Sequence, residues 1–292
     1  MSHWRARTAP MSTRALRTAF ARGILRRLRI RTEGRAGVEE MIHNAVMYLV
    51  SRSLLFVLVL FSVRMVICTT LERLQPAHPL SYRKVIGWDL VAAVVFGFVI
   101  GPAAYWVSGR FSYEPSLPGS ILSLPLIYRI LIYVVIADFG YYWTHRLMHS
   151  RYFWRVHKWH HSPTYMYWLA GIRGSFFQQI LVNLPYIFAE GVVRLAPWWM
   201  ALAIGLKNSF QNDWMHLNVR WGSRWVEWFI STPRYHHIHH SDDPKHYGNN
   251  LSALFPIWDR LFGTYVDPDT VPHNVTFGIG EHVPPVRLAI GV

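Results

Sequence analysis

The chain is poor in cysteine and in charged side chains. Cys68 is the only cysteine among 292 residues, so an intrachain disulfide and a cysteine-based zinc or iron–sulfur site are excluded. Any metal must therefore be bound through nitrogen or oxygen. Charged residues make up 16% of the chain, whereas a soluble domain carries about a quarter. With 52% hydrophobic residues and 15% aromatic ones, the composition is typical of a membrane protein.

Acidic residues are scarce as well, and they are outnumbered by basic ones. The 16 Asp and Glu residues face 30 Lys and Arg residues, which gives a formal net charge of +14. Such an excess can indicate nucleic-acid binding. Here the basic residues flank apolar segments, and no nucleic-acid motif accompanies them. We therefore expect no nucleic-acid partner and favour anionic lipid headgroups.

The chain divides into a basic tail and one long body. Residues 1–41 are rich in arginine, and ALRTAFARGILRRLRI is compatible with a membrane-surface helix, an organelle presequence or an extension ahead of a start at Met41. No Pro/Gly/Ser-rich linker divides residues 42–268, which we interpret as one membrane-embedded catalytic domain. Residues 269–292 are rich in proline and glycine and predict a C-terminal surface tail.

Apolar segments of roughly membrane-spanning length predict the fold class. A helical span needs about 20 mostly apolar residues. The last two segments predict a helical hairpin, which would return the chain to the side from which it left. The basic segment RYFWRVHKWHH indicates that this side is cytoplasmic. We therefore expect an all-α, multi-pass integral membrane bundle with a cytoplasmic histidine-rich di-metal cap. The apolar segments are residues 45–67, 86–107, 121–144, 176–193 and 196–212.

Histidines are concentrated in one part of the chain. Eleven of its sixteen histidines lie between residues 145 and 246, and nine of these eleven are in the motifs HRLMH, HKWHH and HHIHH. Residues three and four apart share one face of a helix, so each motif is predicted to direct its imidazoles to a common point. Neutral imidazole is the commonest metal ligand in proteins, and three such motifs favour a multi-metal centre. The predicted ligands are His145, His149, His157, His160, His161, His236, His239 and His240.

A ninth ligand is expected from the end of the hairpin. His216 lies in NDWMHLN, where the returning helix would bring it to the same side as the motifs, with Asn218 two residues later. His237 points elsewhere on a helix, and His246 lies in a polar loop. Both are left outside the predicted ligand set.

These motifs resemble those of the fatty acid hydroxylase/sterol desaturase superfamily of membrane di-iron oxygenases. The resemblance covers about residues 134–265. It rests on DFGYYWTHRLMHSRYFWRVHKWHHSP and on TPRYHHIHHSDDPKHYGNNLSALFPIWDRLFGTY. The motifs are specific to the superfamily, although they do not identify a substrate.

The resemblance implies two iron ions held by the eight motif histidines, with His216 as the further histidine usually placed at the site. It implies O2 as co-substrate and a lipid substrate, fatty acyl, sterol or related, that is hydroxylated or desaturated. Electrons would come from a separate donor of the ferredoxin or cytochrome b5 type, because no flavin, haem or iron–sulfur motif occurs in the sequence. Zinc also binds imidazole and can replace iron in purified protein.

Acidic residues near the motifs are candidates for orienting the ligands. Asp138, Asp242 and Asp259 are expected to accept imidazole N–H groups, and Asn218 is a further candidate. The alternatives for the acidic residues are helix caps or surface ion pairs.

Two other classes of protein remain open at this point. A histidine-rich metal transporter would place its ligands inside the spans, whereas these histidines follow the spans. A zinc-dependent membrane hydrolase would combine about three ligands with a general-base glutamate, as in HExxH, and neither HxxHH motif contains a glutamate.

Overall fold

A computed structural model of the chain describes residues 54–111, 119–194 and 198–292. Leu58–Val292 forms a compact unit, and the contacts given below lie within it. The basic tail predicted for residues 1–41, with its boundary to the body, lies outside the described residues.

Helices dominate the described part of the chain. Helix α2 contains one π-helical turn at Phe96–Ile100, and short 3-10 turns connect several of the later helices. The helices are α1 (Leu54–Leu74), α2 (Tyr82–Phe111), α3 (Gly119–Leu122), α4 (Leu126–Met148), α5 (Trp154–His161), α6 (Phe176–Val193), α7 (Trp198–His216), α8 (Pro233–His239), α9 (Ile257–Phe262) and α10 (Pro285–Ile290).

The prediction of a helical membrane bundle is confirmed. Three helices of the described region, α2, α4 and α6, are long and apolar enough to cross a membrane, with mean hydropathies of 2.1, 1.3 and 1.2. Each predicted apolar segment is helical where the structure describes it, apart from a break at residues 123–125. Residues 45–53 and 196–197 lie outside that part.

Helices α4 and α6 pack closely because small residues line their contact. A Cβ atom on Gly140 would lie 2.9 Å from Pro185 Cβ, so glycine is what permits this approach. Ala137 and Ala189 are buried in the same interface. Small residues let helices in a membrane approach until their backbones are nearly in contact. This packing fixes the end of α4, where the first histidine motif begins.

Buried carboxylates hold the connections between the helices. Asp89 on α2 accepts hydrogen bonds from Tyr167 Oη at 2.7 Å and from Arg173 Nε at 2.6 Å. Glu72 on α1 accepts from the backbone N–H groups of Trp168 at 2.7 Å and Asn218 at 2.8 Å. The residues that follow α5 and those that follow α7 are therefore tied to α1 and α2.

Part of the predicted C-terminal tail contacts the body of the protein. Leu288 and Ala289 on α10 contact the apolar cluster around Trp159, which lies on α5 beside the second histidine motif. Helix α10 therefore partly buries two apolar side chains, and the bounds of the predicted tail stay a prediction.

Candidate metal centre

The nine predicted histidines lie in two groups of imidazoles. Each residue offers one ring nitrogen, and within a group these nitrogens all lie within 4.8 Å of one another. The first group consists of His145, His149, His157, His161 and His239. The second group consists of His160, His216, His236 and His240.

Each HxxHH motif is divided between the two groups. His157 and His161 belong to the first group and His160 to the second, while His236 and His240 belong to the second and His239 to the first. The expectation that each motif directs two or three imidazoles to a common point holds for His145 and His149, and for two of the three histidines in each HxxHH motif, whose remaining histidine belongs to the other group. Successive helical residues are rotated by about 100°, so a residue and its i+4 neighbour share a direction while adjacent histidines diverge.

Two imidazoles of the first group direct lone pairs at each other. His145 Nδ1 donates to the Leu251 carbonyl at 2.6 Å, and His157 Nδ1 donates to Gln178 Oε1 at 3.1 Å. In a neutral imidazole with a protonated Nδ1, Nε2 carries a lone pair. The two Nε2 atoms lie 3.0 Å apart. Because neither of them has a proton to donate, this contact is repulsive unless a cation lies between them.

The second group converges in the same way. His216 Nδ1 donates to the Asn212 carbonyl at 2.7 Å, which leaves a lone pair on its Nε2. That atom lies 3.2 Å from both His236 Nε2 and His240 Nε2, and 3.3 Å from His160 Nε2. A single cation among the four nitrogens would satisfy all of them.

The imidazoles outside the spanning helices are held neutral. Burial lowers the pKa of His157, His161 and His240 well below the usual 6.5, and neighbouring imidazoles lower it further. The Nε2 atoms of His149 and His161 are buried without a hydrogen-bond partner in the described part of the chain. Buried polar atoms nearly always have partners, so these nitrogens also fit a role as metal ligands.

The spacing of the nitrogens fits metal ligation. Ligand nitrogens about 2.1 Å from one ion are separated by about 3.0 Å at a right angle and about 3.4 Å at a tetrahedral angle. The Nε2 separations of 3.0 to 3.3 Å fall in this range. Neutral nitrogen ligands suit iron and zinc, whereas Mg²⁺ and Ca²⁺ prefer oxygen. The residues present therefore fit a pair of transition-metal ions.

Residues 130–264, which contain both groups, match the family model described as fatty acid hydroxylase. This match and the relatives described next support the fatty acid hydroxylase/sterol desaturase superfamily as the family that this part of the chain resembles. No solved structure matches the chain.

The names of several similar proteins refer to different kinds of lipid. Alkylglycerol monooxygenase of Xenopus tropicalis is 31% identical over 51% of this chain and 33% of its own length. Ornithine lipid hydroxylase OlsE of Rhizobium tropici is 32% identical over 53% of this chain and 46% of its own length. Methylsterol monooxygenase 1-3 of Arabidopsis thaliana is 20% identical over 63% of this chain and 62% of its own length. The matches to the first two thus span less than half of those relatives.

Two backbone carbonyls and one side-chain amide oxygen, and not the predicted carboxylates, accept the imidazole N–H groups described above. Asp259 accepts from the backbone N–H groups of Leu251 and Ser252, each at 2.8 Å. Asp138 accepts from the Leu254 and Phe255 backbone N–H groups at 2.9 and 3.0 Å. Both carboxylates fix the loop whose Leu251 carbonyl orients His145. Asp259 therefore influences His145 through this loop, and a direct orienting role for the two carboxylates stays a prediction.

The other two predicted orienting residues also hold backbone segments. Asp242 accepts a hydrogen bond from Thr276 Oγ1 at 2.6 Å, which joins the segment after α8 to the C-terminal region. Asn218 is bonded to His78 through both side-chain atoms, each at 2.8 Å, just after α7 ends at His216. Asn218 therefore positions the turn that follows a histidine of the second group.

The two histidines left outside the predicted ligand set lie outside both groups. His237 Nε2 donates to the Leu217 carbonyl at 2.9 Å. His246 Nδ1 lies 3.1 Å from Ser241 Oγ. Both therefore have protein partners of their own.

Sequence reasoning missed two residues that shape the site. Gln178 orients His157, and a Cβ atom on Gly171 would lie 2.5 Å from His216 Nδ1. Only glycine fits at residue 171 with this position of the ring. Neither residue belongs to a histidine motif, so no spacing in the sequence distinguished it.

A cavity of about 360 Å³ borders the metal centre. His160 of the second group forms part of its wall, as do Gly171 and Gln178. The rest of the wall comes mainly from α6 and α7. The cavity therefore gives a bound molecule access to the second group.

Proposed function

We propose that this chain is a membrane-bound lipid monooxygenase whose two histidine groups each hold one iron ion. The observation that carries the proposal is the convergence of buried imidazole Nε2 atoms, which at His145 and His157 leaves two lone pairs with no proton between them, in a chain that matches the fatty acid hydroxylase family model. The superfamily relatives named as monooxygenases and hydroxylases favour oxygen insertion over desaturation.

Bound iron would supply the activation of O2 that oxidation of an unactivated C–H bond requires. The protein would orient the imidazole rings that hold the iron. Carbonyls of Leu251, Asn212 and Asn249 each accept an Nδ1–H, which fixes the tautomer and the ring plane of a proposed ligand. Burial of the rings excludes bulk water and keeps them neutral, the state in which imidazole binds a metal.

We further propose that the site lies on the cytoplasmic face and receives electrons from a separate donor of the ferredoxin or cytochrome b5 type. Arg151 and Arg155, beside the first group, are exposed and positively charged. Positive charge next to a membrane-spanning helix favours the cytoplasmic side, and it also attracts an acidic electron carrier.

The experiment compares the wild type with His239→Ala and His246→Ala in full-length protein extracted with mild detergent and reconstituted with Fe²⁺. We expect about two iron ions per wild-type chain, and oxygen-dependent oxidation of a membrane lipid when an electron donor is present. His239→Ala should lose iron and activity, because it removes a nitrogen from the first group. His246→Ala is the control, since His246 lies outside both groups, and should retain both properties.

Two outcomes would contradict the proposal. One is wild-type protein that is folded but retains no transition metal after reconstitution. The other is iron-loaded wild type that, with O2 and reducing equivalents, leaves the lipids of its own host membrane unaltered in mass spectrometry.

A further inference from the structure

Amide side chains form a large part of the wall of the cavity beside His160. Six of its wall residues are asparagine or glutamine. Helix α6 contributes Gln178, Gln179 and Asn183, and α7 contributes Asn208, Gln211 and Asn212.

The helical spacing makes this wall continuous. The α7 amides occupy positions i, i+3 and i+4, which lie on one face of a helix, and Gln179 and Asn183 are four residues apart on α6. An amide removed from water without a hydrogen-bond partner costs several kcal/mol in an apolar medium, so amides that line a cavity need partners from the protein or from a bound molecule.

Protein partners use only part of the hydrogen-bonding capacity of this wall. Gln179 Nε2 donates to Asn183 Oδ1 at 2.8 Å, Asn183 Nδ2 donates to Ser108 Oγ at 3.0 Å, and Gln211 donates to the Ala253 carbonyl. Each amide has two N–H donors and two acceptor lone pairs. The side chain of Asn208 makes no hydrogen bond with any other described residue. The cavity therefore offers donors and acceptors to a bound molecule.

The wall carries no unpaired fixed charge among its described residues. Arg64 faces the cavity, but its Nε and Nη2 atoms bind the two oxygens of Asp213 at 2.5 and 2.6 Å. His160 also lines the cavity and is a proposed metal ligand. A carboxylate or phosphate would therefore be desolvated there without a free cation to compensate it.

We propose that this cavity binds the uncharged, hydrogen-bonding portion of a lipid, one that bears hydroxyl, ether, ester or amide groups. A volume of about 360 Å³ holds such a group with the first carbons of its chain, and the remaining chain extends into the bilayer. This inference rests on the proposed monooxygenase function. Binding of the polar group in the cavity would place the oxidised carbon next to that group and not at the far end of the chain.

Binding is measured on the full chain in nanodiscs after removal of metal, with three probes that share a sixteen-carbon chain. The probes are monopalmitoylglycerol, palmitate and hexadecane, and dissociation constants are corrected for partitioning into the bilayer. We expect the wild type to bind the uncharged glycerol lipid at least about tenfold more tightly than either of the others, since one hydrogen bond is worth roughly that factor.

The variants test whether the amides are responsible. Asn208→Leu should weaken binding of monopalmitoylglycerol about tenfold, and Asn208→Ser should recover part of the loss because its hydroxyl still forms hydrogen bonds. Val182→Leu is the matched control, since Val182 lines the same cavity without a polar group. It should leave the order of the three affinities unchanged. A thermal unfolding curve for each variant verifies that it is folded.

Equal affinity of the wild type for all three probes would overturn the proposal. So would tightest binding of palmitate, or an Asn208→Leu variant that behaves like Val182→Leu. Because the assay needs neither iron nor O2, its failure is distinct from a failure of the monooxygenase proposal. Protein that binds the glycerol lipid but oxidises no lipid when loaded with iron would refute only the latter.

Discussion

At the scale of single residues, the candidate centre depends on which proton each imidazole carries. A backbone carbonyl or an amide oxygen accepts the Nδ1–H of His145, His157, His216 and His239, so Nε2 is left to face the site. Carbonyl acceptors keep the rings neutral and add no charge to the centre. A carboxylate at the same place would make the ligand more basic and reduce the net charge of a metal-bound site.

Gly171 allows a direct test of ring placement. Gly171→Ala would put a methyl group 2.5 Å from His216 Nδ1, so the ring must move away from the second group. We expect the affinity for the metal ion of that group to fall at least about tenfold, the range known for residues that orient ligands. Competition with a metal chelator measures this affinity. Gly87→Ala is the control, because a Cβ atom there meets nothing within 4 Å, and equal affinities in the two variants would contradict the expectation.

Asp259 is expected to matter for stability through the loop that it holds. Its carboxylate is fully buried and accepts four hydrogen bonds, from Leu251 N, Ser252 N, Tyr235 Oη and Thr264 Oγ1. Asp259→Asn replaces an acceptor with a donor that faces other donors, at a cost of about 3 kcal/mol in the free energy of unfolding.

Thermal or denaturant unfolding of the two proteins measures the loss. The matched variant is Asp267→Asn, where the side chain only caps a 3-10 turn, a role that asparagine fills equally well. An Asp259→Asn protein as stable as Asp267→Asn would mean that the loop is held by other contacts.

At the scale of elements, two short helices each serve both groups. Helix α5 supplies two imidazoles to the first group and one to the second, whereas the region of α8 supplies one to the first group and two to the second. A movement of either helix would therefore displace imidazoles of both groups. Elements that brace α5 therefore support the whole centre.

Helix α10 is one such brace, and its contribution can be isolated with a pair of substitutions. Leu288 packs into the cluster around Trp159, whereas Val286 on the same helix is 69% exposed. Leu288→Asp should destabilise the protein by about 2 kcal/mol, because it buries a charge in an apolar cluster. Val286→Asp should have little effect. The measurement is the melting temperature of each variant. Equal melting temperatures of Leu288→Asp and Val286→Asp would show that α10 does not brace α5.

At the scale of the whole molecule, the many buried neutral imidazoles make stability depend on pH. Burial lowers the pKa of His149, His160 and His236, among others, well below 6.5 in the folded protein. Below pH 6.5 the unfolded chain therefore binds more protons than the folded chain does. The free energy of unfolding of metal-free protein should decrease as the pH falls from 6.5, by about 1.4 kcal/mol per pH unit for each such histidine.

The measurement is thermal unfolding of chelator-treated protein between pH 7.5 and 5.0, with the iron-loaded protein in parallel. Metal occupies the lone pairs, so the loaded protein should stay stable to lower pH and then lose metal and stability together. A melting temperature of the metal-free protein that is constant across this range would contradict the expected burial of neutral imidazoles.

Much of the protein follows from local sequence. Helical segments, membrane character, the resemblance to the superfamily and the nine clustered histidines are readable because hydrophobicity and side-chain chemistry repeat at helical intervals. The ligand roles of these histidines stay a prediction. Contacts distant along the chain are not readable in this way: the Leu251 carbonyl that orients His145 lies 106 residues away from it.

The sequence by itself determined which side chains are available to bind metal and that they would follow membrane helices. The tertiary structure alone decided how those side chains divide into two groups, which carbonyls orient them, and that Gly171 leaves space for His216. Helical periodicity sets the angle between neighbouring side chains, whereas the point at which they converge depends on how separate helices pack. Packing of that kind is decided by shape and burial across the whole chain, because no single segment contains both partners of a contact.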